Sequence, residues 1–266
     1  MSDAKFIDYN LKLIEPSFDS SLTDLIIELD YLRKKTLGGS THPKVFFQLK
    51  HIFHTLESIG SARIEGNNTT IAEYIETKLD DTHNTSSDIR EIQNIEKAME
   101  FIEQNIIDCP INKAFLSELH KMIVKDLAPP PNGEGDHTPG VYRKKNLMIN
   151  KSNHLPPDYL VVNDYMDELL GFINKEDSPK YDLLKAAIAH HRFVWIHPFF
   201  DGNGRSVRLI MNLFLMQQGY PPAIILRNDR KKYYEALNRA NNNDYTRLML
   251  LVMQAIERSL DIYLMA

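Results

Sequence analysis

The chain has 266 residues, 43% of them hydrophobic and 25% charged, and a net charge of −5. That is the composition of a folded protein long enough to bury a substantial core, and its acidic balance argues against direct nucleic-acid binding, which calls for a basic surface. A single cysteine, Cys109, excludes an intrachain disulfide; no apolar run is long enough to cross a bilayer and the N-terminus is polar, so a cytoplasmic protein without membrane attachment is expected.

Residues 1–20 read as an arm. Ser21 to Lys35 places Leu22, Leu25, Ile26, Leu29 and Leu32 on one helical stripe. Leu37-Gly38-Gly39-Ser40 ends it, and Pro43 suits the first turn of a second helix. That helix carries Val45, Phe46, Leu49, Ile52, Phe53 and Leu56 to about Ser58. In the next stretch, Gly60 to Asn67, Ser61 and Glu65 are one helical turn apart and Gly66 is a natural stop. On residues alone this is a capped last turn with a solvated glutamate.

Thr69 or Thr70 caps a helix to about Lys78, and Asp80 to Ser87 is a polar loop. Ser87 to Ile106 repeats isoleucine at helical spacing: Ile89, Ile92, Ile95, Ile102 and Ile106. Asn112 caps a further helix with Phe115, Leu119, Met122, Ile123 and Leu127 inward, and His120 is read as structural. Pro129 to Gly133 breaks the pattern. Gly140 to Asn150 gives the chain's β signal, a short hairpin with the basic tip Arg143-Lys144-Lys145. Asp158–Asn174, Tyr181–Ile196, Ser206–Gln218, Arg230–Ala240 and Tyr245–Met265 all show helical periodicity. His190 and His191 precede His197 at a spacing that matches no familiar zinc motif, so they are expected to pack rather than ligate.

The stretch from His197 to Arg205, with Arg208 beyond it, forms a corner between two of these helices. Pro198 ends the first. Gly202, Asn203 and Gly204 lie where the second begins, and a helix start offers unpaired N–H groups to an anion. Arg205 and Arg208 add forked cationic donors. Asp201 is a hard oxygen ligand suited to Mg²⁺ beside substrate phosphates, and His197 suits proton transfer near neutral pH.

This stretch resembles the signature of the Fic-domain family, His-x-Phe-x-(Asp/Glu)-Gly-Asn-Gly-(Lys/Arg)-x-x-Arg. His197, Phe199, Asp201, Gly202, Asn203, Gly204, Arg205 and Arg208 fill every defined position. The resemblance implies an all-α, Fic-type helical bundle with a short β-hairpin flap over the active site. Residues 45–266 would form the domain and 1–44 an N-terminal helical extension. It implies a protein adenylyltransferase that moves AMP from ATP, with Mg²⁺, to a Ser, Thr or Tyr hydroxyl of a target protein. His197 would be the base and Asp201 the metal ligand. Gly202, Asn203 and Gly204 would hold the α- and β-phosphates, and Arg205 and Arg208 would neutralise charge on the β- and γ-phosphates.

Ser61 to Gly66 likewise resembles the family's inhibitory helix, (Ser/Thr)-x-x-x-Glu-(Gly/Asn). That implies pairing of Glu65 with Arg208, in the place of the γ-phosphate. Tyr234 and Asn241 match the family's adenine-side segment, although core filler and helix cap fit them equally well as residues. A target segment is expected along the flap near 140–150, just before His154-Leu155-Pro156-Pro157. The same site leaves open removal of AMP with Glu65 orienting a water, or ATP sensing without turnover. A homodimer is left open, and the target protein is not readable from the chain.

Overall fold

A computed structural model describes residues 4–37, 43–79, 86–105, 110–128, 138–149 and 152–264. Several expectations fall outside the described residues: Gly38 to Ser40, the polar stretch 80–85, Ile106, Cys109, Pro129 to Gly133 and Asn150. The side chains of Val45 and Phe46 are likewise outside that description.

Among the described residues ten α-helices follow one another: α1 (Ser21–Leu37), α2 (Pro43–Glu65), α3 (Ile71–Leu79), α4 (Ser87–Gln104), α5 (Lys113–Val124), α6 (Val162–Asn174), α7 (Asp182–Ile196), α8 (Asn203–Gln217), α9 (Arg230–Ala240) and α10 (Thr246–Leu264). The caps follow from the sequence. Thr70 and Glu73 form a reciprocal box at the start of α3: the Thr70 N–H donates to Glu73 Oε2 (2.7 Å) and the Glu73 N–H to Thr70 Oγ1 (3.2 Å). Ser86 and Asn112 accept from the backbone at the starts of α4 and α5.

α7 and α8 form the centre. Nearly every residue of both is buried, including Leu183, Phe193, Trp195, Leu209 and Leu213, as expected of helices with neighbours all round. α2 lies against α4 and α8, α4 and α5 also touch α8, and α10 packs on α1, α7 and α9. Leu22 and Leu29 of α1 join the same apolar core as the central pair. No helix among the described residues is long and apolar enough to cross a membrane.

Two expectations need correction. α2 does not stop near Ser58 but runs unbroken to Glu65. Gly60 fits inside it because the chain passes closely there: a Cβ would lie 3.1 Å from the Ile225 carbonyl. The helix ends at Gly66, whose φ of +121° few other residues adopt.

The expected β-hairpin does not form over the described residues 140–149: they make no ladder, and the isolated bridge among the described residues is parallel, between Lys5 and His154. The reason is Arg143, 2% exposed. Its guanidinium turns inward and donates to the carbonyls of Lys145, Pro157, Ile196 and His197. Its backbone N–H bonds Pro198 O at 2.8 Å. The segment's polar groups are thus spent on the corner rather than on each other. It still lies beside His197, where a flap was expected.

Candidate active site at the α7–α8 corner

His197 is the C-cap of α7 and adopts the left-handed conformation (φ 51°, ψ 61°), with its N–H bonded to Phe193 O at 2.9 Å. A non-glycine residue held there is uncommon and marks functional sites. Its ring is half-buried. Burial first, then the nearby Arg143 charge, pushes its pKa down to about 4, while Glu65 and Asp201 pull the other way. The imidazole is therefore neutral at pH 7, the form that accepts a proton.

The loop from Pro198 to Gly202 is built from side chains that leave it little freedom. Phe199 is fully buried and stacks on His120, with ring centroids 3.8 Å apart. Asn203 accepts from the Phe199 N–H at 2.9 Å and donates to Phe199 O at 2.8 Å. Its side chain therefore staples the loop, and its backbone N–H lies at the start of α8, where the phosphates were expected. The Gly140 N–H donates to His120 Nδ1 (2.8 Å), which fixes the tautomer, so His120 Nε2–H donates to Asp201 O (2.9 Å). Gly202 needs its positive φ of 72°, and a Cβ there would crowd Val124 and His120.

Asp201 presents a carboxylate that is 42% exposed, and Arg205 Nη2 meets its Oδ2 at 3.0 Å. The other arm of Arg205 pairs with Glu91 Oε1 at 2.7 Å. Glu91 Oε2 accepts from Asn67 Nδ2 at 2.9 Å, just past the end of α2. Sequence reasoning missed Glu91 because it sits among the isoleucines of α4 with nothing to distinguish it from a solvated charge.

Arg208 is 1% exposed. It donates to Ser61 Oγ (2.8 Å), Ser61 O (3.0 Å) and Glu65 Oε1 (2.8 Å). Glu65 Oε1 lies so close to Gly204 that a Cβ there would overlap it. One carboxylate is thus seated both on Arg208 and at the N-terminus of α8, the place expected for an anion.

The adenine-side pair divides. Tyr234 is 38% exposed, its hydroxyl donates to Ile64 O at 3.4 Å, and Arg230 lies over its ring. It sits at the rim beside the end of α2. Asn241 is bonded within the fold: its Oδ1 accepts from His191 Nε2 (2.9 Å) and its Nδ2 donates to Asn153 Oδ1 (2.8 Å). It closes α9 as its C-cap, the role the residues alone allowed. His190 and His191 are buried and bond tyrosine hydroxyls, as expected of packing histidines.

Residues 110–215 match the model of the Fic/DOC family. The chain is 34% identical over 224 residues to the protein adenylyltransferase Fic of Culex quinquefasciatus, covering 82% of this chain and 42% of the relative. It is 33% identical over 228 residues to that of Drosophila melanogaster, covering 84% and 43%. The chain thus spans less than half the length of these curated relatives. Among solved structures it is similar to a fragment of Fic-1 from C. elegans, with a TM-score of 0.76 and 22% identity over 91% of this chain and 72% of that one. It is also similar to a Fic-domain signalling protein from Bacteroides thetaiotaomicron, with a TM-score of 0.75 and 22% identity over 90% and 96%. At that identity the two structures speak to the fold alone.

Proposed function

Since the chain belongs to the Fic/DOC family, we propose that it is a protein adenylyltransferase held in a weakly active state by its own Glu65. The observation that carries this is the clasp at Arg208, where Glu65 takes the seat of an anion against Gly204. The curated relatives carry the name of that activity.

In the proposed reaction the nucleotide's phosphates lie along the first N–H groups of α8, with Arg205 and Arg208 on the β- and γ-phosphates. His197 takes the proton of a target Ser, Thr or Tyr hydroxyl. The oxygen bonds to the α-phosphorus, the bond from that phosphorus to the bridging oxygen breaks, and pyrophosphate leaves. Asp201 fits a magnesium ion: one exposed carboxylate beside substrate phosphates is how that ion is commonly held. Bound there, the ion would neutralise phosphate charge. Phosphoryl chemistry of this kind rests on positioning and charge compensation. The target's extended segment lies along 140–149, presenting its hydroxyl to His197. Residues 45–266 act as the catalytic unit, residues 1–44 as its extension, and the setting is the cytoplasm.

While Glu65 holds Arg208, a γ-phosphate meets a carboxylate at close range and is repelled. Incubation with labelled ATP and Mg²⁺ tests both assignments. Glu65→Gly is expected to label protein well above the intact chain. Adding His197→Ala is expected to reduce that labelling by about 10²–10⁴-fold. Equal labelling by the intact chain and Glu65→Gly would remove the inhibitory role, and labelling that survives His197→Ala would remove the base.

A further inference from the structure

Arg208 is gripped from α2 at more than one level. Glu57, Ser61 and Glu65 are spaced four apart, so they line one face of that helix. Ser61 and Glu65 hold the outer side of the guanidinium. Glu57 lies on the inner side, 1% exposed, close enough for its carboxyl and Arg208 to feel each other's charge. Asn212, one turn beyond Arg208 on α8, accepts the Ala223 N–H through Oδ1 at 2.8 Å. That orients its amide, and its nitrogen lies on the side of Glu57. Glu57 Oε1, Arg208 Nη1 and Asn212 Nδ2 are all buried without a direct partner. An acceptor and two donors thus lie behind the anion seat with no direct bond among them.

We propose that Glu57 is a positioning residue for nucleotide binding, holding Arg208 in its phosphate-facing pose when Glu65 has withdrawn. Opening the site removes Glu65 from Arg208 and leaves a buried guanidinium on Ser61 alone from α2. A second polar group behind it keeps the guanidinium aimed at the seat instead of following Glu65 outward. Burial raises the Glu57 carboxyl to about 8, so at neutral pH it is mostly an uncharged acid. An uncharged acid can orient Arg208 without competing with a phosphate for its charge, whereas Glu65, at the open end, competes by design of its position. A buried acid four residues before the inhibitory serine would otherwise only cost stability, since desolvating an unneeded polar group is unfavourable.

The inference rests on the reading of Arg208 as the γ-phosphate's partner, so it is tested in the Glu65→Gly background. Glu57→Leu in that background fills the same space without a polar head and is expected to keep or raise Tm. KM for ATP is expected to rise about ten-fold with kcat changed by less than about two-fold, the scale of removing a polar neighbour from a buried charge. Glu57→Gln restores the polar head without charge and is expected to return KM to within about two-fold of Glu65→Gly alone. Glu57→Ala serves in place of Leu if the Leu chain does not fold, with the same expected rise in KM. An unchanged KM in the folded apolar variant overturns the inference, as does a Gln variant as weak as the apolar one. If Glu65→Gly itself transfers no label from ATP, the functional reading has failed instead, and the Glu57 variants are then read by nucleotide binding alone: equal ATP affinity with and without Glu57 overturns the inference there too.

Discussion

Two segments face His197, and they are held in place in opposite ways. The corner from Pro198 to Gly202 is fixed by many small constraints: a left-handed His197, a glycine at positive φ, Asn203 bonded twice to Phe199, and His120 bonded to the Asp201 carbonyl. The facing segment, 141–149, leans chiefly on one buried guanidinium, with Arg143 donating to four carbonyls, while Asn146 ties it to Asp158 and Tyr159. For the proposed reaction, a corner that positions phosphates to within a fraction of an ångström gains from distributed constraints, because no single loss moves everything. A strap over the acceptor side needs only to be tethered. His120 joins the two, accepting from Gly140 on one side and donating to Asp201 on the other.

The sharpest way to break this contrast is to remove the tether. Arg143→Met strips the donor from four carbonyls and is expected to cost about 3 kcal/mol of stability, read by denaturant unfolding. In the Glu65→Gly background it should raise KM for the protein acceptor while ATP binding is retained. Equal loss of ATP binding would mean that strap and corner act as one body. Asn203→Ala tests the distributed side. It deletes two of the corner's bonds and is expected to cost about 1–3 kcal/mol, with ATP affinity weakened and the strap intact.

Acid loads the helices beneath the corner more gently. Burial pushes His190 and His191 down to about 3, from an ordinary 6.5. Between those values the unfolded chain binds protons that the folded chain refuses. Each of the two therefore withdraws stability as pH falls from about 6.5, by about 1.4 kcal/mol per pH unit. Glu57 has the opposite sign: its folded carboxyl titrates at about 8 against an ordinary 4.5, so its contribution is present at low pH and lost as pH rises to about 8. Tm measured from pH 5 to 9 is expected to be highest near pH 6.5. A Tm that keeps rising as pH falls from 6.5 to 5 would contradict the histidine assignment, and a Tm that does not fall between pH 6.5 and 8 would contradict that of Glu57.

What could be read from the chain follows the same division. The corner was legible because its determinants are local: Pro198 to stop a helix, glycines at the next helix start, and charges within one turn. The strap was not. Val141-Tyr142 and Leu147-Met148-Ile149 around a basic tip read as a hairpin, and only carbonyls from Pro157, Ile196 and His197 draw Arg143 inward. Pairing of Glu65 with Arg208, 143 positions apart, was visible only through the family's pattern. Nothing in the sequence separated Glu57 from a solvated charge, since both suit a helix and burial alone tells them apart. Asn241 matched the family's pattern by position, while its bonds to His191 and Asn153 come from elements distant in the chain.

The unbroken run of α2 limits how the clasp can open. Its 23 residues make a rod about 34 Å long, and Leu49, Phe53, Ile59, Ala62 and Ile64 moor its inner side in the interior. The carboxylate rides on the last turn of that rod, so pulling it away bodily would drag moored side chains out of their packing. Rotation about the Glu65 side-chain bonds disturbs none of them. On the proposed reading, the clasp needs only a swivel at the tip to open, with one backbone serving both forms.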